Sequence, residues 1–226
     1  MISFSTLTVE NLLIGKTHII GADECGYGSI AGPLVVCGVR APKDWTMPGL
    51  NDSKKLTPKR REALREKLLK IVDSKIISYH IAERDNVTID KFGVYPVLKE
   101  CYVEIFHKLY SPDSLIIIDG NLKFDNLGVD GYTKHSEPKA DGTYPIVGAA
   151  SILGKTYHDE QMLLLHEKFP QYGWDKNMGY PGKTGETHKA AIIKYGPCSY
   201  HRYSYDPIKS MDLTGYNQLE LKGLNE

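Results

Sequence analysis

Gly21-Ala-Asp-Glu-Cys-Gly-Tyr-Gly-Ser-Ile-Ala-Gly-Pro33 begins inside one short apolar run, His18–Ala22 (HIIGA), and leads directly into another, Leu34–Val39 (LVVCGV). Short β-branched runs bounded by Gly and Pro read as strands, here two strands joined by a loop. Asp23 and Glu24 fall where the first strand ends, the place at which an α/β sheet presents ligand-binding groups. An acidic pair alone is usually a solvated turn, so the pair needs partners elsewhere in the chain. The glycines behind it allow close backbone approach to a phosphate or sugar. Gly26-Tyr27-Gly28-Ser29-Ile30-Ala31 also fits the GxGxxA dinucleotide fingerprint. That fingerprint requires a helix to open at the glycines and offer its N-terminus to a pyrophosphate. Gly32-Pro33 and the strand-like run after it leave no room for one, so a dinucleotide-dependent oxidoreductase is set aside.

Outward from this stretch, Thr57-Pro58 reads as a helix start, with Thr as N-cap and Pro at the first helical position. Leu64, Leu68 and Ile71 recur at helical spacing as far as Val72. Lys75–Ala82 alternates like a strand, and Val94, Leu98, Cys101, Ile105 and Leu109 mark one stripe of a long helix. Ser114–Ile118 (SLIII) is a continuous apolar run that stops at Asp119-Gly120, the pattern of a buried strand ending at a turn. Val147–Phe169 and Glu186–Lys194 read as helices. Strands and helices in alternation indicate an α/β domain with a mixed sheet and helices packed on it. The domain is expected to span residues 1–205, with 206–226 a small helical C-terminal extension of lower apolar density.

The chain has 226 residues, 41% of them hydrophobic and 25% charged, the composition of an ordinary globular protein. No run reaches the roughly 18 consecutive apolar residues of a membrane span. The first residues, MISFSTLTVENLLIGK, lack a basic region and a small-residue cleavage site, so a cytoplasmic protein is expected. Cys25, Cys37, Cys101 and Cys198 form no CxxC pair and read as reduced thiols. Twenty-eight basic residues balance twenty-eight acidic ones, so attraction to nucleic acid must come from local clusters. Asn51–Lys70 holds eight basic against three acidic residues, and Lys176–Arg202 five against one.

Asp119 closes the SLIII strand, and Asp141 follows in Lys139-Ala140-Asp141 just before the next helix. Carboxylates from separate segments, brought to neighbouring strand ends, suit hard divalent cations that prefer oxygen ligands. The lack of a Cys/His cluster disfavours zinc. Two such cations about 4 Å apart activate water and stabilise a leaving oxygen in phosphodiester hydrolysis.

The order of these motifs resembles the ribonuclease HII (type 2 ribonuclease H) family. The resemblance runs from about His18 to Pro207. It includes GADECGYGSIAGP, GLNDSKKL at Gly49–Leu56, IIIDGN at Ile116–Asn121, KAD at Lys139–Asp141, AASILGK at Ala149–Lys155, and FPQYGWDKNMGYP with HRYSY further on. It implies a ribonuclease H-like α/β fold, with a mixed five-stranded sheet flanked by helices. It also implies cleavage of the RNA strand of RNA/DNA hybrids, and of single ribonucleotides within duplex DNA, on the 5′ side. Asp23, Glu24, Asp119 and Asp141 would then be the catalytic, metal-binding set, using Mg2+ or Mn2+.

By the same resemblance, Asn51, Ser53, Lys54 and Lys55 form a phosphate-contacting patch that fixes register without reading sequence. Lys155, Lys176 and Arg202 are candidates to extend it. Backbone groups of Gly26, Tyr27 and Gly28 are placed to contact the 2′-hydroxyl that distinguishes RNA from DNA. Tyr180 matches the family tyrosine that packs on the neighbouring sugar. Tyr27 stands where the family usually has Arg or Lys, and Pro181–Thr187 (PGKTGET) is longer than the usual link, so relaxed strictness towards single ribonucleotides is expected. Gln218-Leu219-Glu220-Leu221 resembles the core of peptides that dock on sliding DNA clamps, with Lys222 where an aromatic residue normally follows. One chain supplies every motif, so a monomer is expected. The reading from another class is a non-catalytic binder of hybrids or junctions, which would tolerate loss of Asp119 without loss of affinity.

Overall fold

The computed structural model describes residues 9–50, 53–123, 128–182, 188–214 and 216, without the side chain of Lys54. Five strands, β1 (His18–Cys25), β2 (Leu34–Pro42), β3 (Ser78–Arg84), β4 (Ser114–Asp119) and β5 (Lys134–Glu137), form one sheet in the order β3-β2-β1-β4-β5. The α-helices are α1 (Val9–Leu12), α2 (Pro58–Asp73), α3 (Asn86–Phe92), α4 (Val94–Leu109), α5 (Ala140–Thr143), α6 (Pro145–Lys168), α7 (Trp174–Asn177) and α8 (His188–Tyr195). The loop Gly26–Pro33 leads from β1 into β2 without a helix, as its sequence requires.

β1 pairs parallel to β4, with Ile19 opposite Leu115 and Ala22 opposite Ile118, and β4 pairs parallel to β5. Leu115, Ile116, Ile117 and Ile118 are all fully buried. A parallel strand covered on both faces needs such an unbroken apolar run. β5 (KHSE) has no apolar residue, and each of its residues is half-buried. It forms the edge of the sheet, where pairing with β4 substitutes for a hydrophobic face.

α2 starts where the sequence places it: the Thr57 side chain accepts the Arg60 N–H and Pro58 occupies the first turn. α3 is an unexpected element. Asp85 caps it by accepting the Thr88 N–H at 2.8 Å, and Gly93, with φ of 83°, ends it so that α4 begins at once. Gly21 sets the approach of α6 to β1. A Cβ at this position would stand 2.5 Å from the backbone of Ile146 and Val147, so only glycine allows the helix to lie this close.

The chain divides into two interleaved compact units. The first comprises residues 9–24, 36–82 and 102–156 among those described, and its core gathers Val39, Leu64, Leu68, Ile117, Val147 and Ala150. The second comprises residues 25–35, 83–101 and the described residues from 157 onward, with Ile30, Met162, Tyr172, Trp174, Ile192 and Ile208 in its core. Ile208 is only 2% exposed and Met211 packs against the same cluster. The chain just past residue 205 is therefore part of a core, and the division expected at 206 does not coincide with a packing boundary.

Candidate active site

Strand pairing brings the carboxylate-bearing segments together. Ala22 and Ile118 are opposite one another on parallel strands, so Asp23 and Asp119 follow in step at the C-terminal ends of β1 and β4. Asp119 Oδ1 accepts the Ala140 N–H at 2.7 Å, which fixes the start of α5, whose second residue is Asp141. Lys139 turns the chain into that helix with a left-handed φ of 65°. Glu24 follows Asp23 directly, and its N–H donates to Asp23 Oδ1 at 2.8 Å. All four acidic residues expected to form the site belong to the first unit.

Two further side chains hold this set, and the sequence did not single them out. Tyr102, fully buried on α4, donates its hydroxyl to Glu24 Oε2 at 2.9 Å. Ser151 on α6 stands near Asp23 and favours its ionised form. The Ser151 hydroxyl also lies 2.9 Å from that of Ser53.

Asp23 and Asp141 are 8% and 7% exposed. Burial pushes the Asp23 carboxyl up to about 8; the charges of Glu24, Asp119 and Asp141 push the same way, and the Ser151 hydroxyl opposes them. Burial and the nearby carboxylates likewise hold the Tyr102 phenol well above its ordinary range. A cation placed among these groups would reverse the balance, because its charge dominates the local field. Among the described residues no three His, Cys, Asp or Glu side chains close on a common point as a metal requires. What fits a hard divalent cation here is the donor chemistry, four carboxylates with no sulfur or nitrogen ligand.

The second unit holds the glycine loop. Gly26, with φ of 83°, donates its N–H to the Tyr180 hydroxyl at 3.2 Å. A Cβ on Gly26 would come within 2.5 Å of the Pro33 carbonyl oxygen and 2.8 Å of His158 Nε2, so no side chain fits there. Gly28 also lies against the Tyr180 ring, and Tyr27 is exposed. Gly26, Gly28 and Tyr180 are thus brought together as their motifs imply.

The remaining substrate candidates divide. Lys55 and Lys176 are exposed and Lys155 is half-buried, while Asn51 and the Lys54 side chain lie outside the described residues. Ser53 is buried, its hydroxyl accepting from Ser151 at 2.9 Å, and is not a surface group. Arg202 departs most from expectation: its side chain is fully buried. Its guanidinium donates to the carbonyls of Tyr27, Gly32 and Pro33 at 2.9–3.2 Å. Its fork of donors matches a ring of backbone acceptors, so it braces the glycine loop where a phosphate contact was expected.

A five-stranded β3-β2-β1-β4-β5 sheet flanked by helices defines the ribonuclease H-like class. The sequence profile of Ribonuclease HII matches residues 20–208. Ribonuclease HII of Oceanobacillus iheyensis is 37% identical over 210 residues, 92% of this chain and 75% of that protein. Ribonuclease HII of Christiangramia forsetii is 39% identical over 197 residues, 84% of this chain and 91% of that protein. Among solved structures, the PCNA:RNase HII complex from Archaeoglobus fulgidus contains a chain with a TM-score of 0.67 and 30% identity, covering 83% of this chain and 95% of that one. Ribonuclease H2 from Pyrococcus horikoshii aligns with a TM-score of 0.70 and 26% identity, over 85% of this chain and 96% of that one. The chain belongs to the ribonuclease HII family. It is a ribonuclease H, an endonuclease of a divalent-metal-dependent family.

Proposed function

We propose that this enzyme cuts the RNA strand of RNA/DNA hybrids and incises duplex DNA on the 5′ side of a lone ribonucleotide, leaving a 3′-hydroxyl and a 5′-phosphate. The observation that carries this reading is the placement of Asp23 and Asp119 in step on paired strands, with Asp119 anchoring the short helix that carries Asp141. Mg2+ or Mn2+ held there would supply Lewis-acid stabilisation of the attacking and leaving oxygens, in two-metal hydrolysis. The chain's own residues prepare for it. The Tyr102 hydroxyl orients Glu24, and the Ala140 N–H orients Asp119. Lys54 and Lys55, with Asn51, are assigned to phosphates of the duplex, which set register independently of sequence. Gly26, Tyr27, Gly28 and Tyr180 are assigned to the ribose, where the 2′-hydroxyl separates RNA from DNA.

The test is cleavage of a labelled duplex containing one ribonucleotide, beside an all-RNA hybrid, with Mg2+ or Mn2+. Incision of both, lost in Asp119→Asn, is the expected result. Incision that persists in Asp119→Asn would remove the carboxylate assignment, and cleavage of the hybrid alone would remove the single-ribonucleotide one.

Gln218–Leu221 is assigned to a sliding clamp; support comes from the Archaeoglobus fulgidus ribonuclease HII, solved in complex with PCNA. Those residues lie outside the described ones. Removing residues 217–226 is expected to abolish clamp capture in a pull-down, and unchanged capture would dispose of the assignment. A monomer is the proposed working unit, since one chain supplies all four carboxylates.

A further inference from the structure

We propose that Asn86 and Asp90, one turn apart on α3, are positioning residues: they grip the chain on both sides of Arg202, hold the glycine loop through it, and so set how strictly a lone ribonucleotide is accepted. The effect on selectivity rests on the assignment of that loop to the ribose.

An unbroken path of hydrogen bonds within the second unit carries the inference. Residues four apart share one face of a helix, and this face offers an amide and a carboxylate to the same stretch of chain. Asn86 is 7% exposed, and its Nδ2 donates to the carbonyls of Ser199 at 2.8 Å and His201 at 2.9 Å. Asp90 takes the far side of Arg202. Its Oδ2 accepts the Tyr203 N–H at 2.8 Å, and its Oδ1 accepts the Ser204 N–H at 2.9 Å and the Ser204 hydroxyl at 2.6 Å. Arg202, held between the two grips, passes its position to the loop. Its N–H donates to the Ile30 carbonyl and the Gly32 N–H donates to the Tyr200 carbonyl, each at 2.9 Å, while its guanidinium reaches the carbonyls of Tyr27, Gly32 and Pro33. The Tyr205 hydroxyl is a further donor to the Tyr27 carbonyl, at 3.0 Å.

The composition of α3 fits this task better than a packing one. It is seven residues long, and of its two buried side chains, Asn86 and Ile89, one is polar. A helix so short is not stable by itself, so what it binds accounts for its presence. Hydrogen bonds to a carboxylate are about twice as strong as neutral ones, which suits Asp90 to fix a segment of backbone. Recognition of a 2′-hydroxyl depends on placement, and a displacement of about 1 Å costs about 100-fold in rate. A lone ribonucleotide offers its hydroxyl in one register, whereas an RNA tract offers one at every position. A loosened loop therefore weighs on the lone ribonucleotide first.

The experiment compares Asp90→Ala, Asp90→Asn, Asn86→Ala, Arg202→Lys and the Asp90→Ala/Arg202→Lys double variant with the wild type. Cleavage of a duplex with one ribonucleotide and of an all-RNA hybrid is read as kcat/KM. Amide hydrogen exchange is read without substrate at Gly26, Ile30 and Gly32, whose N–H groups are bonded to the Tyr180 hydroxyl and to the Gly179 and Tyr200 carbonyls. Exchange at Ile116–Ile118 in β4 serves as the measure of global unfolding. Asp90→Ala and Asn86→Ala are each expected to lower kcat/KM about 10-fold on the lone ribonucleotide and less than about threefold on the hybrid. Loop exchange should quicken while that of β4 stays the same. Asp90→Asn, which keeps one acceptor oxygen, should fall between Asp90→Ala and the wild type. The double variant should be no slower than the slower single one, because both act through the same contact. Equal losses on the two substrates, unchanged loop exchange, or multiplying losses in the double variant would overturn the proposal. A wild-type enzyme that cuts only the hybrid, or neither substrate, would instead count against the assigned substrate, and loop exchange would still decide whether α3 holds the loop. If Asp90→Ala does not fold, Asp90→Asn carries the same comparisons.

Discussion

The acidic site of the first unit and the aromatic core of the second both bury groups that titrate, and they resolve the cost in opposite ways. Around Asp23, burial shared with Asp141 and the charges of Glu24 and Asp119 all oppose ionisation. Around His188 and His201, both fully buried, each ring nitrogen has a complementary partner. His188 Nδ1 lies 3.1 Å from the Gly179 carbonyl oxygen and therefore carries the proton. His188 Nε2 accepts from Trp174 Nε1–H at 2.8 Å and faces His201 Nε2–H at 2.9 Å. His201 Nδ1 in turn accepts the Cys198 N–H at 2.9 Å. The His188 Nε2 lone pair is shared between two donors, and burial pushes His188 down to about 4 and His201 to about 3, so both rings are neutral. A satisfied polar network rigidifies a core, whereas an unbalanced one asks for a ligand.

The largest effect should come from breaking the acidic side. Asp23→Asn removes the cost of protonating a buried carboxyl on folding, keeps an acceptor for the Glu24 N–H, and deprives the site of a metal ligand. Cleavage should fall by well over 100-fold, beyond the cost of losing a merely supporting residue. Metal-free thermal stability should rise by a few °C, about 2–4 °C for each kcal/mol of that cost in a chain of this size. A variant that lost activity and stability together would contradict the contrast.

Breaking the histidine side should do the reverse. His201→Ala opens a cavity beside Tyr172, whose ring centroid is 4.6 Å away, and leaves the Cys198 N–H unpaired. About 3 kcal/mol of stability should be lost, read as a shift of the urea midpoint. Cleavage per folded molecule should be unchanged.

The same network makes stability depend on pH with a definite sign. An unfolded histidine takes up its proton near pH 6.5, and the folded His188 only near 4. Between those values the unfolded chain binds more protons, so the contribution is complete above about pH 6.5 and is lost as pH falls towards 4. The loss should be on the order of 3 kcal/mol for His188, at about 1.4 kcal/mol for each pH interval over which the two states differ. Denaturation midpoints measured from pH 7 to pH 4 should fall in the wild type and fall less steeply in His201→Ala.

Much of this contrast was legible in the sequence, because apolar runs that stop at acidic residues mark strand ends: HIIGA before Asp23 and SLIII before Asp119 located both halves of the site. Thr57-Pro58 fixed the start of α2 through capping chemistry alone. The polar strand β5 was not legible, since its pairing comes from β4 and leaves no trace in alternation. α3 left signals that went unread, an aspartate cap at Asp85 and a glycine stop at Gly93. Tyr102 was hidden because a buried aromatic in a helical stripe looks like core until its hydroxyl is seen against Glu24. Ser53 and Arg202 were misread for a common reason: polarity suggests exposure, but both are buried among partners supplied by segments about 100 or more residues away.

The smallest expected effect belongs to the exposed loop of the second unit, where neither burial nor a network amplifies a change. Tyr27 is 40% exposed and its backbone carbonyl accepts from both Arg202 and Tyr205. Its side chain can therefore change while the loop stays braced. Tyr27→Arg adds one cation beside the glycines, and one added phosphate contact should steepen the dependence of log affinity on log salt by about 0.9. An exposed ion pair contributes at most about 1 kcal/mol, so preference for a single ribonucleotide over an RNA tract should rise no more than about fivefold. If the salt slope steepens and the preference stays fixed, the added charge reaches the duplex without reading the junction. Selectivity would then lie wholly with Gly26, Gly28 and Tyr180, whose geometry Arg202 maintains from beneath.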